Sequence, residues 1–121
     1  MTGPKCRVID DYGAYFPVRC RPSRQCSQIT GHYRLRSVRL DLTAVLTNKC
    51  QQGAYRGFGS DVGNFVLERM VDTAIAELND DPIEFRRRNF IQPDQFPYLI
   101  PTGNMYDSGN YPAVLARSGH H

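Results

Sequence analysis

The residues whose types and spacing could do chemistry sit mid-chain: Gly53-Ala54-Tyr55-Arg56-Gly57-Phe58-Gly59-Ser60-Asp61. Gly53, Gly57 and Gly59 can adopt backbone conformations closed to other residues, and with no side chains they let a ligand approach the main chain. Free N–H groups at the start of a following helix favour an anion, so a phosphate or an oxo group would suit this place. The same residues equally describe a tight strand-to-helix turn that binds nothing. Two phosphate-loop readings fail. Gly57-x-Gly59-x-x-x-Gly63 is one residue too long for a dinucleotide fingerprint, the strand before it is amphipathic, and no second βαβ unit follows. A Walker loop needs a Lys-Ser/Thr pair after the glycines, and none is there.

Elements on either side must hold this loop. Before it, Arg36 to Thr47 is the clearest strand. Val38, Leu40, Leu42, Ala44 and Leu46 alternate with Arg39, Asp41 and Thr43, the period of a half-buried strand. Cys6 to Asp10 is a shorter strand that Tyr12 to Tyr15 continues or turns, and Pro17 and Pro22 break the stretch after it. After the loop, a helix should begin at Ser60 or Asp61, both good N-caps. Val66, Leu67, Met70, Val71, Ala74 and Leu78 form its apolar stripe, Glu68 and Asp72 share another face, and Asn79 can end it in a left-handed conformation. Asp81-Pro82 restarts a short second helix, with Asp81 as cap and Glu84 within reach of Arg88. From Gln92 onward, prolines and glycines predict a loop region. Its aromatics (Phe96, Tyr98, Tyr106, Tyr111) predict that it is ordered and packs against a surface. The fold class expected is therefore α+β: a short β-sheet segment, a glycine loop, one long and one short helix, and an ordered C-terminal loop region. There is no internal repeat.

Composition bounds the function. With 121 residues one domain is expected, and a net charge of +3 argues for neither nucleic acid nor membrane. No apolar run is long enough to span a bilayer, and the start lacks an apolar signal region, so a cytoplasmic location is expected. Cys6, Cys20, Cys26 and Cys50 form no C-x-x-C pair and read as reduced thiols, with disulfides the alternative, rather than a zinc or iron–sulfur site. His32, between a glycine and a tyrosine, reads as a surface or packed residue. Arg86, Arg87 and Arg88 point different ways on a helix and read as salt-bridged, solvated or in contact with a further domain rather than nucleic-acid binding. Glu68, Glu77 and Glu84 read as helix-surface residues rather than general bases. Residues 116–121, ending in two histidines, read as the stub of an affinity tag, leaving 1–115 as the domain piece.

Six landmarks in order carry a resemblance covering roughly residues 5 to 115. Thr47-Asn48-Lys49 followed by Gly53-Ala54-Tyr55-Arg56-Gly57-Phe58-Gly59 resembles the T-N-K…G-A-Y/F-R-G-x-G signature of molybdenum hydroxylase large subunits. That family includes xanthine dehydrogenase, aldehyde oxidoreductase and carbon monoxide dehydrogenase. Glu68-Arg69-Met70-Val71-Asp72 is similar to its E-R-M/L-V/M-D helix, and Asp81 to Ile91 to its D-P-x-E-x-R-R-x-N-F/L-I segment. Asp11-Tyr12-Gly13-Ala14-Tyr15, Phe96-Pro97-Tyr98 and Tyr106 to Tyr111 resemble further landmarks.

The resemblance implies that the backbone at Ala54, Tyr55, Arg56 and Gly57 lies beside molybdopterin, the molybdenum cofactor of the parent enzyme. It implies that Phe58 stands at the substrate position and that Arg24 orients substrate. It also implies a parent oxidoreductase that hydroxylates aldehyde, heterocycle or CO-type carbon centres. The implied partners are the rest of the large subunit and iron–sulfur and flavin subunits or domains, with no nucleic acid and no membrane; self-association is a further expectation. The sequence departs from the family pattern at Ser60-Asp61, where a proline is common, and at Asn79, where many relatives have glycine. It also lacks the cysteine-containing loop of aerobic carbon monoxide dehydrogenases, which points toward aldehyde- or heterocycle-oxidising relatives. The family's catalytic glutamate lies in a downstream G-E motif that this chain does not contain. The expectations are therefore no catalytic residue, no metal ligand, no retained cofactor and no activity in the isolated chain. The alternative is a non-catalytic, stand-alone binding or interaction protein derived from this segment.

Overall fold

The computed structural model describes residues 3–15, 29–53, 55–57 and 59–118. The first strand, β1, runs Lys5–Asp11, and the second, β2, runs Arg39–Val45. The expected strand over 36–47 is thus shorter at both ends. The two strands pair in parallel, in register from Lys5 opposite Arg39 to Asp11 opposite Val45. Parallel sheets are normally covered on both faces, yet neither strand here carries a buried residue.

The main hydrophobic cluster is built instead on the helices and the segment around Tyr33. Helix α1 spans Ser60–Leu78, and Leu67, Val71 and Ile75, one turn apart, are its buried residues. They pack with Tyr33 and Leu35 and with Phe85 and Phe90, with Tyr111 and Leu115 against the cluster. The expected stripe was wider than the buried one: Val66, Met70 and Leu78 are exposed, at 36%, 43% and 64%. The N-cap also differs. It is Gly59, left-handed at φ 87°, and not Ser60 or Asp61. The turn Gly57–Ser60 closes through Ser60 N–H donating to the Gly57 carbonyl at 2.8 Å, which carries Ser60 into the first helical turn. Asn79 ends α1 in the left-handed conformation, as its side chain allows.

Helix α2 spans Pro82–Asn89, and Asp81 caps it by accepting from the Ile83 and Glu84 N–H groups at 2.9 and 2.8 Å. The expected Glu84–Arg88 pair does not form. Asp80, just before the helix, takes Arg88, and Glu84 takes Arg87 at 2.7 Å. A 3-10 turn at Pro93–Gln95 comes next. Then Tyr98–Leu99 (β3) pairs antiparallel with Met105–Tyr106 (β4). This region is ordered and packed, with Ile91 and Ile100 among the most buried side chains and Phe96 against Tyr111 at 5.8 Å between rings. It is more regular than the expected loop, because it ends in helix α3, Tyr111–Ser118. α3 buries no residue, so it leaves no clear apolar period in the sequence. α3 takes in residues 116–118. No helix among the described residues is long and apolar enough to cross a membrane.

Candidate functional site

The glycine loop rims a cavity of about 560 Å³. One wall is the run Cys6 to Asp10 of β1, and because both faces of the strand contribute, the cavity follows the strand's edge. The other wall is the loop, with Gln52, Gly53, Tyr55, Arg56 and Gly59, and the first two turns of α1, with Asp61, Val62, Gly63 and Val66. Ile29 closes one side.

The backbone explains the glycines. Gly57 and Gly59 sit at φ 93° and 87°, where a side chain is strained. A Cβ on Gly57 would also come within 3.2 Å of the Asp61 carboxylate, which folds back toward it. A Cβ on Gly53 would meet nothing within 4 Å, so the loop is open there. Gly59 cannot cap the helix with a side chain, which leaves the first-turn N–H groups of α1 without that internal partner. The walls are otherwise mixed in polarity. Among the described residues, neither Arg7 nor Arg56 pairs with a carboxylate. Asp10 Oδ2 is buried with no hydrogen-bond partner. Among the described residues, no group of three or more His, Cys, Asp or Glu side chains could hold a metal ion.

The residues expected from the sequence fall into two groups. Tyr55, 88% exposed, and Arg56 line the cavity, and Gly57 forms its rim turn. Ala54, Phe58 and Arg24 lie outside the described residues. Sequence reasoning missed the β1 wall, because the edge of a strand is not a property of its own residues.

A polar clamp orients α1 behind the cavity. Arg86 on α2 donates through Nε and Nη2 to Glu68 Oε2 at 3.1 and 3.0 Å, and through Nη2 to Asp72 Oδ1 at 2.6 Å. The buried Tyr33 hydroxyl donates to Glu68 Oε1 at 2.8 Å. Burial, then that carboxylate, hold the Tyr33 hydroxyl well above the ordinary tyrosine range. The Arg86 bonds hold the Asp72 carboxyl below its usual range. His32 is packed, not a ligand: its ring lies 4.8 Å from Tyr33, 4.5 Å from Phe90 and 5.3 Å from Tyr111. Burial lowers its pKa, Glu68 opposes this, and Arg86 adds to it. Thus Glu68, read from the sequence as a surface residue, is the hub of the clamp. Arg86, Arg87 and Arg88 each pair with carboxylates, as expected.

The profile of the molybdopterin cofactor-binding domain family matches residues 1–90. The carbon monoxide dehydrogenase large chain of Afipia carboxidovorans is 38% identical over 120 residues, covering 94% of this chain and 15% of the relative. Among solved structures, a Cu,Mo-CO dehydrogenase superposes with a TM-score of 0.87 at 35% identity, over 99% of this chain and 16% of that one. Quinoline 2-oxidoreductase from Pseudomonas putida 86 does so with a TM-score of 0.87 at 32% identity, over 96% and 15%. The chain therefore spans about 15% of the length of the relatives it matches.

Proposed function

The chain belongs to the molybdopterin cofactor-binding domain family of molybdenum hydroxylase large subunits, and from that premise we propose that it supplies one wall of the molybdenum cofactor's site in a larger oxidoreductase. The observation that carries the reading is the glycine loop, held between β2 and α1, facing a cavity with its backbone accessible. The residues fit such a group. The backbone from Gly53 to Gly57, with Ala54, would lie against the cofactor, and the uncapped start of α1 favours its anionic parts. The partnerless Asp10 Oδ2 offers an acceptor of the kind a pterin's N–H groups need. When bound, the cofactor supplies the redox chemistry by which a carbon centre gains oxygen and loses electrons. Phe58 and Arg24 are assigned to substrate stacking and substrate orientation. The absence of a cysteine from the loop favours an aldehyde or a heterocycle over carbon monoxide as the parent's substrate. Iron–sulfur and flavin partners take the electrons.

By itself the chain binds this cofactor too weakly to retain it. Each loop N–H contributes about 0.5–1.5 kcal/mol net. Association must offset roughly 4–15 kcal/mol of lost ligand freedom. Glu68 offers no general base for the reaction, since it is committed to Arg86 and Tyr33. Metal analysis of the purified chain with a dye-reduction assay tests this. Molybdenum far below stoichiometry and no reduction with aldehydes, purines or carbon monoxide is the expected result. Stoichiometric molybdenum with substrate-dependent reduction would overturn it.

A further inference from the structure

The glycine loop has two ends. α1 holds the far end, and the near end is held by a turn just past the ends of β1 and β2. We propose that Asp11 is a positioning residue, whose carboxylate moors the segment from Thr47 to Gln52 and so sets where the loop enters the cavity. What the loop faces rests on the function proposed above; the mooring itself does not.

The carboxylate collects donors from three places. Thr47 Oγ1 donates to both of its oxygens, at 2.9 and 2.8 Å. The Gly13 N–H donates to Oδ1 at 3.0 Å, and Lys49 Nζ lies 3.6 Å from Oδ2. The turn this makes is stitched to the incoming segment by the main chain. Thr47 N–H donates to the Gly13 carbonyl at 3.3 Å, Ala14 N–H to the Lys49 carbonyl at 3.0 Å, and Gln52 N–H to the Tyr12 carbonyl at 3.0 Å. Gly13 has to be glycine. It sits at φ 81°, and a Cβ there would lie 2.4 Å from the Cys50 carbonyl oxygen. The regular register of β1 and β2 ends at Asp11 opposite Val45, and past it the main chain adds only scattered bonds, the three above and Tyr12 N–H to the Val45 carbonyl at 2.9 Å. Gln52 is the last residue stitched to the turn, and it is also the first of the loop to line the cavity. Asp11 therefore reinforces these scattered main-chain bonds with side-chain bonds for the residues that lead into the loop. Thr47 and Lys49 have a role in this that their own exposure hides.

Amide hydrogen exchange on the whole chain, without cofactor, tests the mooring. Asp11→Ala should speed exchange at Thr47 and Gln52 on the order of tenfold, the effect of one lost hydrogen bond. Amides of Val71 and Ile75 in the α1 core should change by much less. Asp11→Asn, which keeps an acceptor oxygen, should restore part of the protection, a recovery that a general loss of stability would not show. Should Asp11→Ala fail to fold, Thr47→Val removes one donor and should give the same local pattern. Unchanged protection at Thr47 and Gln52, or equal loss there and in α1, would overturn the proposal. If the mooring holds but added molybdopterin leaves the loop's resonances unmoved, the function proposed above fails and this inference stands.

Discussion

Replacing Arg86 with methionine should loosen α1 from α2 and move the titration of a residue on neither helix. The aliphatic stem survives in Arg86→Met, so the change isolates the guanidinium. Arg86 is 16% exposed and Glu68 28%, so the pair is largely removed from water. Breaking a fully buried pair costs about 3–5 kcal/mol. Water still reaches Glu68, which also keeps the Tyr33 hydroxyl, so the expected loss is about 1–3 kcal/mol. The Asp72 contact, on a more exposed carboxylate, is screened and adds little. For 121 residues the unfolding entropy is about 0.25 kcal/mol/K, so the melting temperature should fall by about 4–12 °C. His32 gives a second readout, because it lies 3.8 Å from Glu68 and feels both partners. Arg86 lowers its pKa and Glu68 raises it, so Arg86→Met must move it up. Glu68→Gln must move it down. Calorimetry and a proton NMR titration of the His32 ring measure both. A melting shift below about 1 °C with an unmoved His32 pKa would refute the clamp.

Three further outcomes are expected. Because burial depresses the folded pKa of His32 below its ordinary 6.5, its contribution to stability is fully present above pH 6.5 and is lost as the pH falls through the lowered value. Denaturant titrations at a series of pH values, with a flat curve for His32→Phe, check this. Asp81→Ala should destabilise the chain by about 1 kcal/mol by freeing the Ile83 and Glu84 amides, read by thermal melting. Gly57→Ala, at φ 93°, should lose about 1–2 kcal/mol to backbone strain. Its new Cβ, 3.2 Å from the Asp61 carboxylate, should also displace that side chain, visible as shifted α1 first-turn resonances.

The parts of the fold legible in the sequence were those in which neighbouring residues carry the signal. Alternation from Val38 to Leu46 marked β2, and Asp81-Pro82 marked the start of α2 to the residue. Asn79 likewise marked the end of α1. The sequence signal ran out where the cause is distant. Glu68 read as a surface residue because its partners, Tyr33 and Arg86, lie 35 and 18 residues away. α3 was missed because only Tyr111 and Leu115 face the core, too few for a period. Val66, Met70 and Leu78 carry the pattern of a buried face without being buried. At the candidate site the loop was legible from its glycines. The β1 wall depends on a parallel register between residues 5–11 and 39–45, which no local spacing encodes.

The central claim is that the glycine loop faces the molybdenum cofactor. Titrating isotope-labelled chain with molybdopterin released from a donor enzyme, and mapping amide shifts, tests it most directly. The account predicts weak, saturable shifts confined to residues 53–63 and the β1 residues Cys6 to Asp10, with α3 unmoved. Shifts clustered elsewhere, or none at cofactor concentrations well above that of the protein, would contradict it.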